Sequence, residues 1–259
     1  MNQLRPCTSS LFLKRTLSVA AVSVSLLALV AGTPSCTSTP STQQPTALIY
    51  DGFGNYTRNI TTSSNQAQRW FNQGMQLMYG FNHDEAIRSF EMAAQLDPEA
   101  AMPWWGVAYC QGININDPAM SEERSKRARE AADNALARLD NESPVEHAMV
   151  NAVSARYEWP APEDRMPLDQ AYADAMHSVY TQFPNDHDVA ALFAESLMNL
   201  QAWDYWENDG SPKGRITEVV DAIEGVLRDD PQHPGANHFY IHAVEASGDP
   251  DRAVPAAER

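Results

Sequence analysis

The sequence predicts an all-α fold, an α-solenoid of stacked antiparallel helix pairs, and three observations carry that expectation. Residues 67–98 set small side chains at Gly74, Ala86 and Ala93 among bulky ones at Trp70, Leu77 and Phe90. That spacing lets two helices approach closely while the large residues fill the space between them. Trp104-Trp105-Gly106-Val107-Ala108 then returns to the same register, after a break at Asp97-Pro98. Prolines recur where later pairs close, at Pro184 and Pro231. A helix pair of about 34 residues cannot bury its apolar face alone and must stack on neighbours.

Three regions follow in order. Residues 1–36 read as an export signal: Lys14-Arg15 precede the apolar run Leu17 to Gly32, which is shorter than the ~20 residues of a membrane span. Two processing routes stay open. Val30-Ala31-Gly32 suits ordinary signal peptidase, whereas Ser35-Cys36 resembles the end of a bacterial lipobox with Cys36 as the lipidation site. Thr33 and Pro34 depart from the lipobox pattern, and the Ser/Thr/Gln/Pro stretch that follows suits a tether. Residues 37–62 are that tether and an irregular lead-in, with a turn at Asp51-Gly52-Phe53-Gly54-Asn55. Residues 63–259 form the repeat domain.

Within it, Ser63 with Gln66 reads as a capping box for a helix over Ser64 to Tyr79. Its partner runs from His83 to Leu96. The second pair has Pro103 in its first turn, a polar loop over residues 112–118, and a charged helix from Ser121 to Leu139. Pro144 to Tyr157 and Leu168 to Phe183 make a looser third pair around a proline-rich insertion. Asp186 to Leu200 and Ile216 to Arg228 make the fourth, separated by an aromatic and acidic loop over residues 203–213. Pro234 to Ser247 opens a fifth, so the repeat reads as truncated or continuing at Arg259.

The residues Trp70, Gly74, Leu77, Ala86, Phe90, Ala93 and Pro98 fall at the positions that mark the tetratricopeptide repeat, and the chain resembles that family. The resemblance implies a right-handed superhelix whose first helices line a concave groove. In its register the groove positions are Phe71, Met75 and Met78 in the first pair, and Trp105, Tyr109 and Gly112 in the second. In the fifth pair they are His238, His242 and Glu245. Trp104 occupies the inter-helix position and is expected in the core.

Composition narrows the function classes. The formal net charge is -16, and the first 36 residues hold only basic charges, so the remainder is more acidic still. Phosphate backbones are repelled, which excludes nucleic acid as the expected partner. Cys7, Cys36 and Cys110 are too few for a disulfide framework and contain no CxxC pair; Cys110 reads as a small buried residue. Phosphate loops, Gly-x-Ser-x-Gly elbows and His-Glu-x-x-His helices are absent from the sequence.

The candidate chemistry lies in Asn237 to Glu245, where His238, His242 and Glu245 are spaced i, i+4, i+7 on one helical face. Paired histidines are often structural, so structural, binding and metal roles stay open. Glu195, within an otherwise apolar helix, needs partners or a raised pKa, and counts as a second site residue. Asn114 and Asn116 shape their loop or touch a ligand. The expected function is an envelope-associated, periplasmic or outer-surface scaffold. It holds a peptide or protein segment, with basic segments preferred, in a groove formed by Phe71, Met75, Trp105, Tyr109, Glu195, His238, His242 and Glu245. No cofactor is expected, and membrane contact is expected only through a lipid anchor. The alternative is a metal-dependent or other enzyme with the His/Glu cluster as its site.

Overall fold

Local signals set the helices. The computed structural model describes residues 47–259, and the export signal, Cys7 and Cys36 lie outside them. Ten α-helices and no strand occur among the described residues: α1 Asn65–Tyr79, α2 His83–Leu96, α3 Met102–Gln111, α4 Glu122–Leu136, α5 Pro144–Ser154, α6 Met166–Gln182, α7 His187–Leu200, α8 Ile216–Asp229, α9 Pro234–Val244 and α10 Val254–Ala257. The chain is therefore all-α over this range.

Starts follow from caps. Ser64, not Ser63, accepts the Ala67 N–H and opens α1, and the Ser63 N–H donates to Asp97 rather than to Gln66. A capping box does form, at Ser143 and Glu146 of α5. Asp186 caps α7, and His233 caps α9 through its ring Nδ1, which accepts the Ala236 N–H at 3.0 Å. Prolines sit in the first turns of α3, α5, α6, α9 and α10, where a missing N–H costs least.

Each helix packs on the next along the chain, and α1 also touches α3, α3 touches α5, and α7 touches α9. The tightest joints are built on glycine. A Cβ on Gly74 would sit 2.5 Å from the Phe90 ring, and one on Gly106 2.6 Å from it, so α1 and α3 both close on that side chain. Beyond these neighbours, α9 packs against α1. The ninth helix therefore shares an interior with the first.

One core expectation is reversed. Trp105 is buried while Trp104 is only half-buried under the Arg138 guanidinium, 5.4 Å from its ring. Helix α3 is buried on nearly every side, so it has no apolar stripe from which to choose between adjacent tryptophans. Cys110 is buried and free, as its apolar setting implies. Among the described residues no helix is long and apolar enough to cross a membrane.

Candidate functional site

Helix α7 carries two buried carboxylates, Asp188 and Glu195, seven residues apart and so on one face. Asp188 is saturated. It accepts hydrogen bonds from the Tyr56 hydroxyl, from the Tyr79 hydroxyl at 2.6 Å, and from Arg58 at 2.9 Å. His233 completes the set. Its Nδ1 serves as the α9 cap acceptor, so the ring proton is on Nε2, 3.2 Å from Asp188. Burial alone would raise the Asp188 pKa, but the His233 hydrogen bond, Arg58 and Tyr56 outweigh it and hold the carboxyl well below its ordinary range. Arg58 also pairs with Asp186 at 2.9 Å. This cluster joins the lead-in, α1, α7 and the start of α9.

Glu195 is under-supplied. Its Oε1 accepts from Asn199 at 2.5 Å, while Oε2 has no partner among the described residues. Burial raises its pKa by more than Arg156, Asn199 and Tyr109 lower it. Arg156, fully buried, donates to the Ile113 carbonyl at 2.7 Å and stands over the Tyr172 ring at 4.8 Å. Its Nε and Nη1 and the Tyr172 hydroxyl lack hydrogen-bond partners among the described residues, although Asp169 pairs with Nε at 3.7 Å. His83 accepts from Asn114 at Nδ1 (3.4 Å), which leaves an unpartnered N–H at Nε2. Burial, reinforced by Arg156 and Arg124, pushes its pKa down to about 4.

The open-groove assignment of five residues needs correction. Phe71, Met75, Trp105, Tyr109 and Glu195 are all buried in the shared core, as is Met78. The physical reason is that α3 and α7 are enclosed on nearly all sides, so positions of the first helices meet other helices rather than solvent. Asn114 shapes its loop, accepting from the Asn116 and Asp117 amides through Oδ1 at 2.9 and 3.1 Å.

The α9 stripe behaves differently, because it reaches the surface. His238 is half-buried and its Nδ1 lies 2.5 Å from the Tyr79 carbonyl oxygen. That oxygen can only accept, so Nδ1 carries the proton. His242 faces His238 with the two Nε2 atoms 3.1 Å apart, and its own Nδ1 lies 2.8 Å from Glu245 Oε1. Glu245 is exposed. Burial holds His238 below the ordinary imidazole pKa, with Tyr79 opposing and His242 adding to the shift. Phe81 walls the pair, its ring 4.6 Å from His238 and parallel to His242 at 6.2 Å. Trp203 stands edge-on to His242 at 5.2 Å and donates its indole N–H to the Ile115 carbonyl at 2.6 Å.

Sequence reasoning named the lead-in but not the side chains that hold it. Gln73 of α1 grips its backbone at two points, accepting the Tyr50 N–H and donating to the Leu48 carbonyl, both at 2.7 Å. One turn and a half earlier, Gln68 repeats the clamp, accepting from Ile60 N–H at 3.0 Å and donating to the Arg58 carbonyl at 2.8 Å. Glu146 of α5 takes the Thr61 N–H and hydroxyl at 2.7 and 2.6 Å. The only signal available was the row Gln68, Asn72, Gln76 at i, i+4, i+8 on α1. Between the two clamped points, a cleft of about 750 Å³ opens among Gly52 to Tyr56, Gln76, Asn237, His238, Ile241 and Arg259.

Among the described residues no group of three or more His, Cys, Asp or Glu side chains is placed to hold a metal ion. No protein-family model matches the chain, and no curated protein matches it.

Proposed function

We propose that the chain is a non-catalytic scaffold of the tetratricopeptide type, a right-handed superhelix of helix pairs, that binds an extended peptide or protein segment. The observation that carries this reading is the double glutamine clamp. Side chains of α1 already hold an extended backbone through paired N–H and C=O contacts, a mode that recognises main chain before sequence. The partner segment lies in the cleft beside the lead-in, where Gln76 continues the amide row and Ile241 and Phe53 offer apolar area. The acidic surface draws segments with basic residues and repels nucleic acid. Close helix joints at Gly74 and Gly106 support the repeat assignment.

Export to the cell envelope, with Cys36 lipidated, completes the reading and rests on the sequence of residues 1–45. A photo-crosslinking residue at Gln76 or Ile241, introduced in cells, is expected to trap one discrete envelope protein. The same residue at exposed Glu99 is expected to trap none. Equal, diffuse crosslinking at both positions overturns the binding role. Labelled fatty acid that enters Cys36→Ser as well as the parent chain removes the lipid anchor. A second, metal-dependent reading is favoured by the facing His238 and His242 rings.

A further inference from the structure

We infer that His238 and His242 are two ligands of a divalent d-block metal site of the zinc, copper or nickel class. Three independent features point there.

The first is the bite. Two imidazole nitrogens bound to one ion at ~2.0–2.1 Å, with an angle between about 90° and 110°, stand roughly 2.9–3.4 Å apart. The two Nε2 atoms are 3.1 Å apart. One helical turn separates the residues, so the backbone of α9 fixes that distance without a loop.

The second is the outer shell. A ligating histidine almost always donates its remote N–H to a carbonyl or carboxylate, which fixes the tautomer and turns the other nitrogen's lone pair to the metal. Both histidines meet this requirement, each in a different way. His238 Nδ1 is held by the Tyr79 carbonyl at 2.5 Å, and His242 Nδ1 by the Glu245 carboxylate at 2.8 Å. With both Nδ1 atoms protonated, neutral rings direct two lone pairs at one point. Glu245 thus acts as an orienting residue rather than a ligand, which is why the i, i+4, i+7 stripe needs an acid at its end.

The third is the wall. Phe81 and Trp203, which flank His242 on separate loops, both have left-handed backbones with φ of 56° and 64°. Bulky side chains rarely adopt that region, and such strain persists where the surroundings hold it in place. Phe81 stacked on one ring and Trp203 edge-on to it hold His242 in place and leave the rest of the coordination sphere to water or to a small ligand.

The experiment uses the chain without a histidine tag, stripped with a chelator and titrated with Cu²⁺ and Zn²⁺. One ion per chain is expected, with nitrogen hyperfine structure from two imidazoles in the Cu²⁺ paramagnetic resonance spectrum. Zn²⁺ is expected to raise the melting temperature of the parent chain. His242→Ala, at a partly exposed position, should lower affinity by about 100-fold and leave one nitrogen in the spectrum. Glu245→Gln should weaken binding by ~10-fold through loss of orientation alone. His187→Ala, on another helix, should change nothing. Binding well below one ion per chain, or binding that survives His242→Ala, overturns the site. Because peptide crosslinking at Gln76 is scored in cells and metal binding is scored by titration of the purified chain, failure of either idea leaves the other standing.

Discussion

Asp188 and Glu195 sit on one face of one helix, both buried, and their surroundings shift their pKa values in opposite directions. Asp188 has four donors and is held ionised. Glu195 has an oxygen without a partner and is pushed toward its neutral form. Burial is common to both, so the number of donors decides. The lead-in supplies two of the Asp188 donors, Tyr56 and Arg58, and nothing equivalent reaches Glu195. An extended segment with few apolar residues thus sets the charge state of the core it crosses.

The comparison is broken most severely at Asp188. Asp188→Ala leaves Arg58 buried with one carboxylate instead of two and should destabilise the fold by about 3–5 kcal/mol in urea unfolding. A loss below ~1 kcal/mol would mean that the cluster is ornamental. Tyr79→Phe removes a single donor from the same carboxylate and should cost about 2 kcal/mol, since its acceptor is charged. Glu195→Gln should lie within about 1 kcal/mol of the parent, because the amide keeps the shape of the side chain and removes a carboxylate that burial already disfavours. A loss as large as that of Asp188→Ala would show that Glu195 is ionised.

The smallest effect concerns pH and separates the two by sign. Asp188 has its folded pKa below the unfolded one, so its contribution is full above about pH 4 and is lost as the pH falls. For Glu195 the folded value is raised, so the native state holds more protons from about pH 4 upward, and stability drops as the pH rises through that window. Urea midpoints between about pH 2 and about pH 8 should therefore show Asp188→Asn flattening the acid limb and Glu195→Gln flattening the opposite one. Identical profiles for the two variants would refute the contrast.

Most helix limits were legible because caps and prolines act within a turn. The α2 bounds, His83 to Leu96, agree with the sequence reading, and the others shift by a few residues at frayed ends. The α9 stripe was legible for the same reason: its three members are neighbours by helical geometry. What could not be read is anything assembled across distance. Arg58 meets Asp188 over 130 positions and Tyr56 meets it over 132, and no local pattern announces either pairing. The Trp104/Trp105 choice failed for a further reason. Periodicity distinguishes inside from outside only when a helix has an outside, and α3 has almost none.

The lead-in has a consequence for the order of events in folding. An array of helix pairs that touch only their neighbours can assemble piecemeal from one end. Here the segment that leaves the ribosome early finds its partners on α7 and at the cap of α9, well over a hundred residues later. Loop closure of that length must be completed before the Arg58 contacts form, which slows the last step and makes it common to both ends of the chain. Amide exchange at Tyr56, Arg58 and the α9 amides should then report one shared opening rather than a gradient along the helices. The first residues of the domain to be made are among the last to be fixed.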